Sequence, residues 1–194
     1  MAIKIKNAPK KSIDELNKSM DWFHNNRKSL SRAKSSSGGD GTENIPHKVY
    51  NMQRDDILDG KGLEVAKLVG WRYILQDDDQ QFHVVEVGTD DSDNHNLTEF
   101  NEGDHVNNFV STYNGLDNHS SVSKKDFEIN VLRVPACHVL AIWLKGDGND
   151  DEIIIPLAPS HQGFEAGKSY GLSEFTKALK SVALELSQFI DEDE

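Results

Sequence analysis

Carboxylate and imidazole side chains are concentrated in one polar stretch near the middle of the chain, where they could bind a divalent metal ion. Asp91, Asp93 and His95 alternate with other residues, and His105 follows in the same region. Carboxylate oxygens and imidazole nitrogens are ligands that divalent cations accept in proteins. An EF-hand frame that starts at Asp91 fails, because its sixth position is Asn96 where the turn requires glycine. Two interpretations stand: a solvated acidic loop, or a looser metal site formed by those four side chains.

A second polar region, residues 158–171, contains a glycine-rich segment that is close to a phosphate-binding P-loop. The segment GFEAGKS has three residues between its first glycine and the Gly-Lys-Ser, whereas a P-loop has four. The next helix is predicted to begin at Ser173, so its backbone N–H groups would not converge on a phosphate beside Lys168. We therefore treat the match as chance.

The single cysteine, Cys137, is followed directly by His138, which raises the hypothesis of a thiol nucleophile and its base. Adjacent side chains of a β-strand point to opposite faces, so these two could not be partners within a strand. Cys137 would then need a distant histidine, or it is a small buried thiol without a catalytic role. Because no hydrolase motif occurs either, the sequence leaves open whether the protein is an enzyme.

An amphipathic helix is predicted near the N-terminus, from about residue 13 to residue 30. Ser12 and Glu15 have the spacing of a capping box, in which each side chain bonds the other residue's free backbone N–H. Apolar side chains recur at helical spacing and form one stripe. The stripe consists of Ile13, Leu16, Met20 and Phe23. The helix must bury this stripe to be stable, on its own sheet, on a second copy or on another protein.

The residues that follow this helix divide the chain into three parts. Residues 31–44, SRAKSSSGGDGTEN, are small and polar, which predicts a flexible linker. Residues 1–30 are then a basic arm with the amphipathic helix, and residues 45–194 are a single α+β domain.

The most apolar stretch of the chain, residues 131–157, is predicted to lie at the centre of a sheet. Two apolar runs, residues 138–145 and 152–157, flank acidic turn residues, as is typical of a hairpin. The first run is apolar on both of its alternating faces, so both faces should be covered. One face would carry Val139, Ala141 and Trp143, and the other His138, Leu140, Ile142 and Leu144.

Further elements complete the predicted fold. Alternating patterns predict strands within residues 63–76, 81–88 and 127–134, and helical periodicity predicts helices at residues 104–114 and from Ser173 onward. The predicted class is α+β. We expect a mainly antiparallel sheet of about five strands with two or three packed helices, and the N-terminal helix on its flexible linker.

Charge and hydropathy limit the partners. The formal net charge of −12 argues against non-specific binding to nucleic acid. Positive charge is concentrated in residues 1–34, which hold nine Lys/Arg and three Asp/Glu. No apolar run approaches the roughly 20 residues that span a bilayer, and the N-terminus lacks a secretory signal pattern. We expect a soluble cytoplasmic protein without a cofactor and without a nucleic-acid or membrane partner.

Two functional hypotheses follow. The first is a non-catalytic protein-binding or assembly module, in which the stripe of the N-terminal helix docks on a second protein or on a second copy. The second is a metal-dependent or small-ligand site in loops 89–105 and 158–171, with His95, His105 and His161 as candidate ligands or bases. No motif set in the chain identifies a family.

Overall fold

The computed structural model describes residues 3–4, 6–26, 46–77, 79–116, 122, 126–146 and 151–191. Within those ranges the chain forms one β-sheet with helices packed on it. The strands are β1 (Ile3–Lys4), β2 (Pro46–Asn51), β3 (Lys67–Gln76), β4 (Phe82–Thr89), β5 (His95–Glu102), β6 (Phe127–Val134), β7 (Val139–Lys145), β8 (Glu152–Pro156) and β9 (Tyr170–Gly171). The α-helices are α1 (Lys10–Asn26), α2 (Arg54–Leu58), α3 (Asp104–Gly115) and α4 (Leu172–Asp191).

Two antiparallel units are joined by one parallel strand pair at the centre of the sheet. Strands β5, β4, β3 and β2 form one unit, and β6, β7, β8 and β9 form the other. β2 runs parallel to β6, so eight strands lie in the order β5-β4-β3-β2-β6-β7-β8-β9. The short strand β1 also pairs with β6 in parallel.

The prediction of an α+β fold with a sheet and packed helices is confirmed, but the prediction of about five mainly antiparallel strands is wrong. The path of the described sheet contains eight strands, and the sheet is mixed. β2 comes from a stretch without clear periodicity, and β5 begins where the acidic loop was expected to continue. The parallel register pairs Lys48 with Asn130, residues so far apart in the chain that no local pattern reports their pairing.

The helices cover both faces of the sheet. Trp71 packs beneath α1, and the strand register pairs it with Lys48 on β2. Lys48 in turn pairs with Asn130 on β6, and Asn130 pairs with Trp143 on β7, which lies beneath α4. Because directly paired residues of neighbouring strands point to the same side of a sheet, α1 and α4 lie on one face. α3 covers the opposite face, where its Phe109 is fully buried. The face shared by α1 and α4 therefore carries two separate apolar clusters, and the face covered by α3 carries one.

β7 is covered on both faces, as its two-sided apolar pattern predicts. Val139, Ala141 and Trp143 belong to the cluster beneath α4. Ile142 and Leu144 belong to the cluster on the side of α3. The strand begins at Val139, because the preceding residue has a left-handed backbone with φ of 50° and ends a 3₁₀ turn.

α1 begins earlier than predicted and has no capping box. Ser12 lies inside the helix, is fully buried, and its hydroxyl contacts the Tyr73 hydroxyl at 2.7 Å. The backbone N–H groups of Ser12 and Ile13 donate instead to the carbonyl of Pro9, which precedes the helix. The side chain of Ser12 is therefore used in tertiary packing. The predicted end of the helix, residues 27–30, and the predicted linker, residues 31–44, lie outside the described residues.

Among the helices that the structure describes, none combines the length and the apolar character needed to cross a membrane.

Candidate functional site

A cleft of about 680 Å³ opens on the face of the sheet that α3 covers. The end of β5 and the first turn of α3 form one side, and residues from the ends of β6 and β7 form the other. The cleft thus brings part of region 89–105 next to the first residues of region 158–171. Its lining residues are Arg72, Val84, Glu99, Asn101, Glu102, His105, Val106, Phe109, Arg133, Pro135, His138, Val139, Leu140, Ala158 and Pro159.

Two arginines and two glutamates form a connected ion cluster at the base of the cleft. Arg72 and Glu86 are cross-strand partners on β3 and β4, and Glu86 is in turn the partner of Glu99 on β5. Arg72 Nε donates to Glu86 Oε1 at 2.5 Å. Arg133 Nη2 lies 2.6 Å from Glu86 Oε2 and also bonds Glu99 Oε2. Glu86 therefore contacts both guanidinium groups.

Burial differs between the two glutamates of the cluster. The side chains of Arg72 and Glu86 are each 4% exposed, whereas those of Arg133 and Glu99 are 25% and 32% exposed. Arg72 also lies over the Phe109 ring, with its guanidinium carbon 5.5 Å from the ring centroid. Arg72 and Glu86 thus form the interior of the cluster, and Arg133 and Glu99 form its solvent side.

The same difference in environment appears in the acidity of the two carboxyl groups. Burial raises the pKa of the Glu86 carboxyl, although the charges of Arg72 and Arg133 act in the opposite direction. Burial also acts to raise the pKa of Glu99, but the Arg133 charge and the Asn101 hydrogen bond outweigh it, so the pKa of Glu99 is lowered. Glu99 is the carboxyl of the cluster whose ionised form is favoured.

Hydrogen-bond donors outnumber acceptors in the cluster. Each oxygen of Glu86 contacts a guanidinium group, and the oxygens of Glu99 accept from Arg133 and from Asn101 Nδ2. Each guanidinium group has five N–H donors. In the described part of the chain, Nη1 of Arg72 and Nη1 and Nε of Arg133 have no acceptor. These nitrogens are the donors that a molecule in the cleft could use.

Of the three histidines proposed as ligands or bases, the structure places only one at the cleft. His105 lines it from the first turn of α3. His161 accepts a hydrogen bond from the Gly163 backbone N–H at 3.1 Å and is not among the lining residues. His95 lies at the opposite end of β5 from the cleft. His138, which was predicted as a residue of the central strand and considered as a neighbour of Cys137, is the second histidine in the lining.

The four residues of the predicted metal site do not converge. Asp93 and His95 approach one another, with Oδ1 and Nε2 3.3 Å apart, but the other Asp93 oxygen lies 2.5 Å from Lys11 Nζ. Asp91 is exposed in the turn before β5, and His105 follows the far end of that strand. Within the described ranges, no three or more Asp, Glu, His or Cys side chains are grouped so that they could hold a metal ion.

The predicted partner-binding stripe lies largely against the chain's own sheet. Leu16, Met20 and Phe23 are buried, whereas Ile13 is 41% exposed. The three buried side chains pack in a cluster with β3 and β4. Its strand members are Trp71, Tyr73, Leu75, Val85 and Val87.

Cys137 is a buried thiol in the cluster beneath α4. Burial raises its pKa to about 11, and the charge of Arg54 opposes that shift only in part. A thiolate nucleophile at this position would therefore be rare at neutral pH. The hypothesis of a catalytic cysteine loses its chemical basis.

None of the sequence patterns above predicts the ion cluster. One signal was present, since Arg72, Glu86 and Arg133 each interrupt a run of apolar residues within a strand. A charged residue at such a position needs a partner when it is buried. The sequence does not show which charges meet, because the cluster draws on β3, β4, β5 and β6.

Comparison with protein-family models, with curated proteins and with solved structures found no match to this chain.

Proposed function

We propose that the protein binds a small organic molecule in the cleft beside α3. The observation that carries this proposal is the buried ion cluster at the base of the cleft, in which Arg72 and Arg133 retain N–H donors that find no acceptor among the described residues. A purely structural ion pair gains most when every donor is satisfied. Donors that remain free beside a cleft are available to a ligand.

The cleft also has the size and the mixed lining of a small-molecule site. Its volume of about 680 Å³ lies within the roughly 300–1,000 Å³ that is common for ligand pockets. Leu140, which is half-buried, and Pro135 and Pro159, which are exposed, supply apolar surface next to the polar cluster. Such a combination binds the apolar body of a ligand and orients it through few polar contacts. The function proposed is ligand binding, and no catalytic step is assigned.

The test is a fragment screen by thermal shift, with backbone amide NMR to locate each binder. Fragments that bind should shift resonances of β5, the first turn of α3 and β7. Leu140→Trp should fill the cleft and abolish binding, while Leu184→Trp, at an exposed position of α4, should leave it unchanged. Fragments that bind elsewhere, or that bind both variants equally, would contradict the proposal.

A second candidate function is assembly through α1. The apolar cluster that α1 forms with β3 and β4 shares no residue with the other two clusters of the described fold. The contact between α1 and the sheet is therefore a separate interface, and the same contact could form between two copies of the chain.

Native mass spectrometry of the full chain tests assembly. If α1 is exchanged, the protein should be a dimer, and Leu16→Asp should convert it to a monomer because Leu16 is buried in the contact. Ile13→Asp is the matched control, since Ile13 is exposed on the same helix. A wild-type monomer at all concentrations would reject helix exchange.

A further inference from the structure

We infer that the ligand of the cleft is a small organic carboxylate whose carboxylate group takes the place of Glu99 at Arg133. The inference rests on the proposed function and specifies its ligand class. It follows from the balance of donors, from the charge of the cluster and from the unequal burial of its two glutamates.

The balance of donors favours a ligand that accepts hydrogen bonds. All four carboxylate oxygens of Glu86 and Glu99 are engaged, whereas Arg72 and Arg133 have guanidinium nitrogens without an acceptor in the described ranges. A ligand amine would add donors to a site that already has too many. A ligand oxygen would accept from Nη1 of either arginine, and a carboxylate can accept two parallel bonds from one guanidinium.

Charge selects a carboxylate over a neutral carbonyl group. The cluster as it stands contains two guanidinium cations and two carboxylates, so it is formally neutral. When Glu99 turns outward, one positive charge beside the cleft is left without its partner. A monocarboxylate ligand restores neutrality at this partly buried position, which a carbonyl or amide does not.

Glu99 is the carboxylate that can leave. Its side chain is 32% exposed on the terminal strand β5, and among the arginines it bonds only Arg133. Glu86 is 4% exposed and contacts Arg72 and Arg133, so its departure would leave two cations unpaired. A Glu99 carboxylate that turns outward can be hydrated at little cost.

The remaining charged group of the lining does not compete for the ligand position. Glu102 lines the cleft, but its side chain is 67% exposed and its Oε2 lies 3.6 Å from Nδ1 of His83. The apolar body of the ligand would lie against Leu140, Pro135 and Pro159, next to the arginines. A carboxylate with a ring or a short alkyl chain matches this lining.

The experiment titrates the full chain with matched pairs of probes and follows amide resonances. Benzoate, phenylacetate and hexanoate are each compared with their primary amides. Each carboxylate should bind in the cleft about tenfold more tightly than its amide, because charge-assisted bonds to a guanidinium are stronger than neutral ones. Arg133→Lys should reduce carboxylate affinity about tenfold, since an ammonium cannot form the bidentate pair.

The variant Glu99→Gln distinguishes a ligand that displaces Glu99 from Arg133 from a ligand that binds while Glu99 stays in place. If the ligand takes the place of Glu99, this variant should bind the carboxylates several-fold more tightly, because a neutral amide competes less for Arg133. Glu128→Gln is the matched control, since Glu128 pairs with Lys48 at 2.8 Å on the opposite face of the sheet and should leave affinity unchanged. Unchanged or weaker carboxylate binding by Glu99→Gln would overturn the inference.

The outcomes distinguish this inference from the proposed function. If amides bind in the cleft as well as carboxylates, the carboxylate inference fails and the cleft remains a ligand site. If both probe classes and the wider fragment screen leave the cleft resonances unchanged, the proposed function fails with it. Backbone NMR spectra of Arg133→Lys, Glu99→Gln and Glu128→Gln show whether each variant is folded before affinities are compared.

Discussion

The hydroxyl groups of Ser12 and Tyr73 lie 2.7 Å apart in a buried hydrogen bond between α1 and β3. This hydrogen bond lies among the apolar side chains that join α1 to the sheet. Burial raises the pKa of the Tyr73 hydroxyl, although the hydrogen bond with Ser12 acts against that shift. Because a hydrogen bond has a narrow geometry, this pair fixes how far α1 can slide along β3.

The Ser12–Tyr73 hydrogen bond should contribute measurably to stability. Tyr73→Phe leaves the buried Ser12 hydroxyl without this partner and should lower the free energy of unfolding by about 1–2 kcal/mol. Ser12→Ala in the same background removes the stranded hydroxyl and should recover part of that loss. Urea unfolding of the wild type, both single variants and the double variant measures the coupling. Strict additivity of the two substitutions would show that the hydroxyls do not interact.

Alanine substitutions in the apolar stripe of α1 should lower the free energy of unfolding at buried positions and leave it nearly unchanged at the exposed one. Leu16→Ala should lower the free energy of unfolding by about 2–4 kcal/mol, because it removes a buried side chain from the contact with the sheet. Ile13→Ala, at an exposed position of the same helix, should change it by no more than about 0.5 kcal/mol. Equal effects, measured by urea unfolding, would mean that α1 does not dock as described.

The two glutamates of the ion cluster should differ strongly in their contribution to stability. Glu86→Gln removes the anion that both guanidinium groups share and should cost about 3 kcal/mol, because it leaves buried positive charge uncompensated. Glu99→Gln should cost less than about 1 kcal/mol, since water reaches that side of the cluster. Guanidinium chloride screens such charges, so urea is the appropriate denaturant. A larger loss for Glu99→Gln would reverse our assignment of the interior and the solvent side.

His47 should make the protein less stable in mild acid. Burial, with the nearby charge of Arg72, lowers the pKa of His47 from 6.5 to about 3. Its ring packs at a steep angle against the rings of Phe109 and Tyr113, and neither ring nitrogen has a well-formed hydrogen bond within the described residues. Between these two pKa values the unfolded chain binds a proton that the folded chain excludes. The free energy of unfolding should therefore fall as the pH drops through this window, by up to about 1.4 kcal/mol per unit.

The variant His47→Leu tests the origin of that pH dependence. It removes the titrating ring and should flatten the stability profile between pH 6.5 and pH 4 relative to the wild type. His105→Gln, at an exposed position of α3, is the control and should keep the wild-type slope. Identical slopes in the wild type and His47→Leu would assign the pH dependence to other groups.

Periodic patterns predicted the elements whose burial is local. The apolar alternation of β7 matches the structure, and so do Leu16, Met20 and Phe23 of the α1 stripe, because the spacing of apolar residues sets which face of an element is buried. Ile13, the fourth residue of the stripe, is exposed. Ser12 shows the limit of such patterns. Its spacing from Glu15 fits a capping box, but the helix starts at Lys10, about three residues earlier than predicted, and Ser12 lies inside it, where its hydroxyl contacts that of Tyr73.

The candidate site could not be predicted in the same way. Arg72 and Glu86 stand out as charges within apolar strands, yet their meeting depends on the register of β3 and β4. Arg133 joins them only because β2 pairs with β6 in parallel and places the two halves of the sheet side by side. Asp91, Asp93, His95 and His105 were grouped by sequence distance, and the length of β5 separates His105 from the other three.

The sequence by itself determined the α+β class, the two-sided burial of β7 and the positions of α1, α3 and α4, since these follow from local periodicity and composition. Only the tertiary structure decided the mixed eight-stranded sheet, the docking of α1 and the ion cluster at the base of the cleft. The physical reason is the range of the forces that select each feature. Secondary structure responds to neighbours a few residues away, whereas burial of a charge is tolerated only where a distant strand supplies its partner.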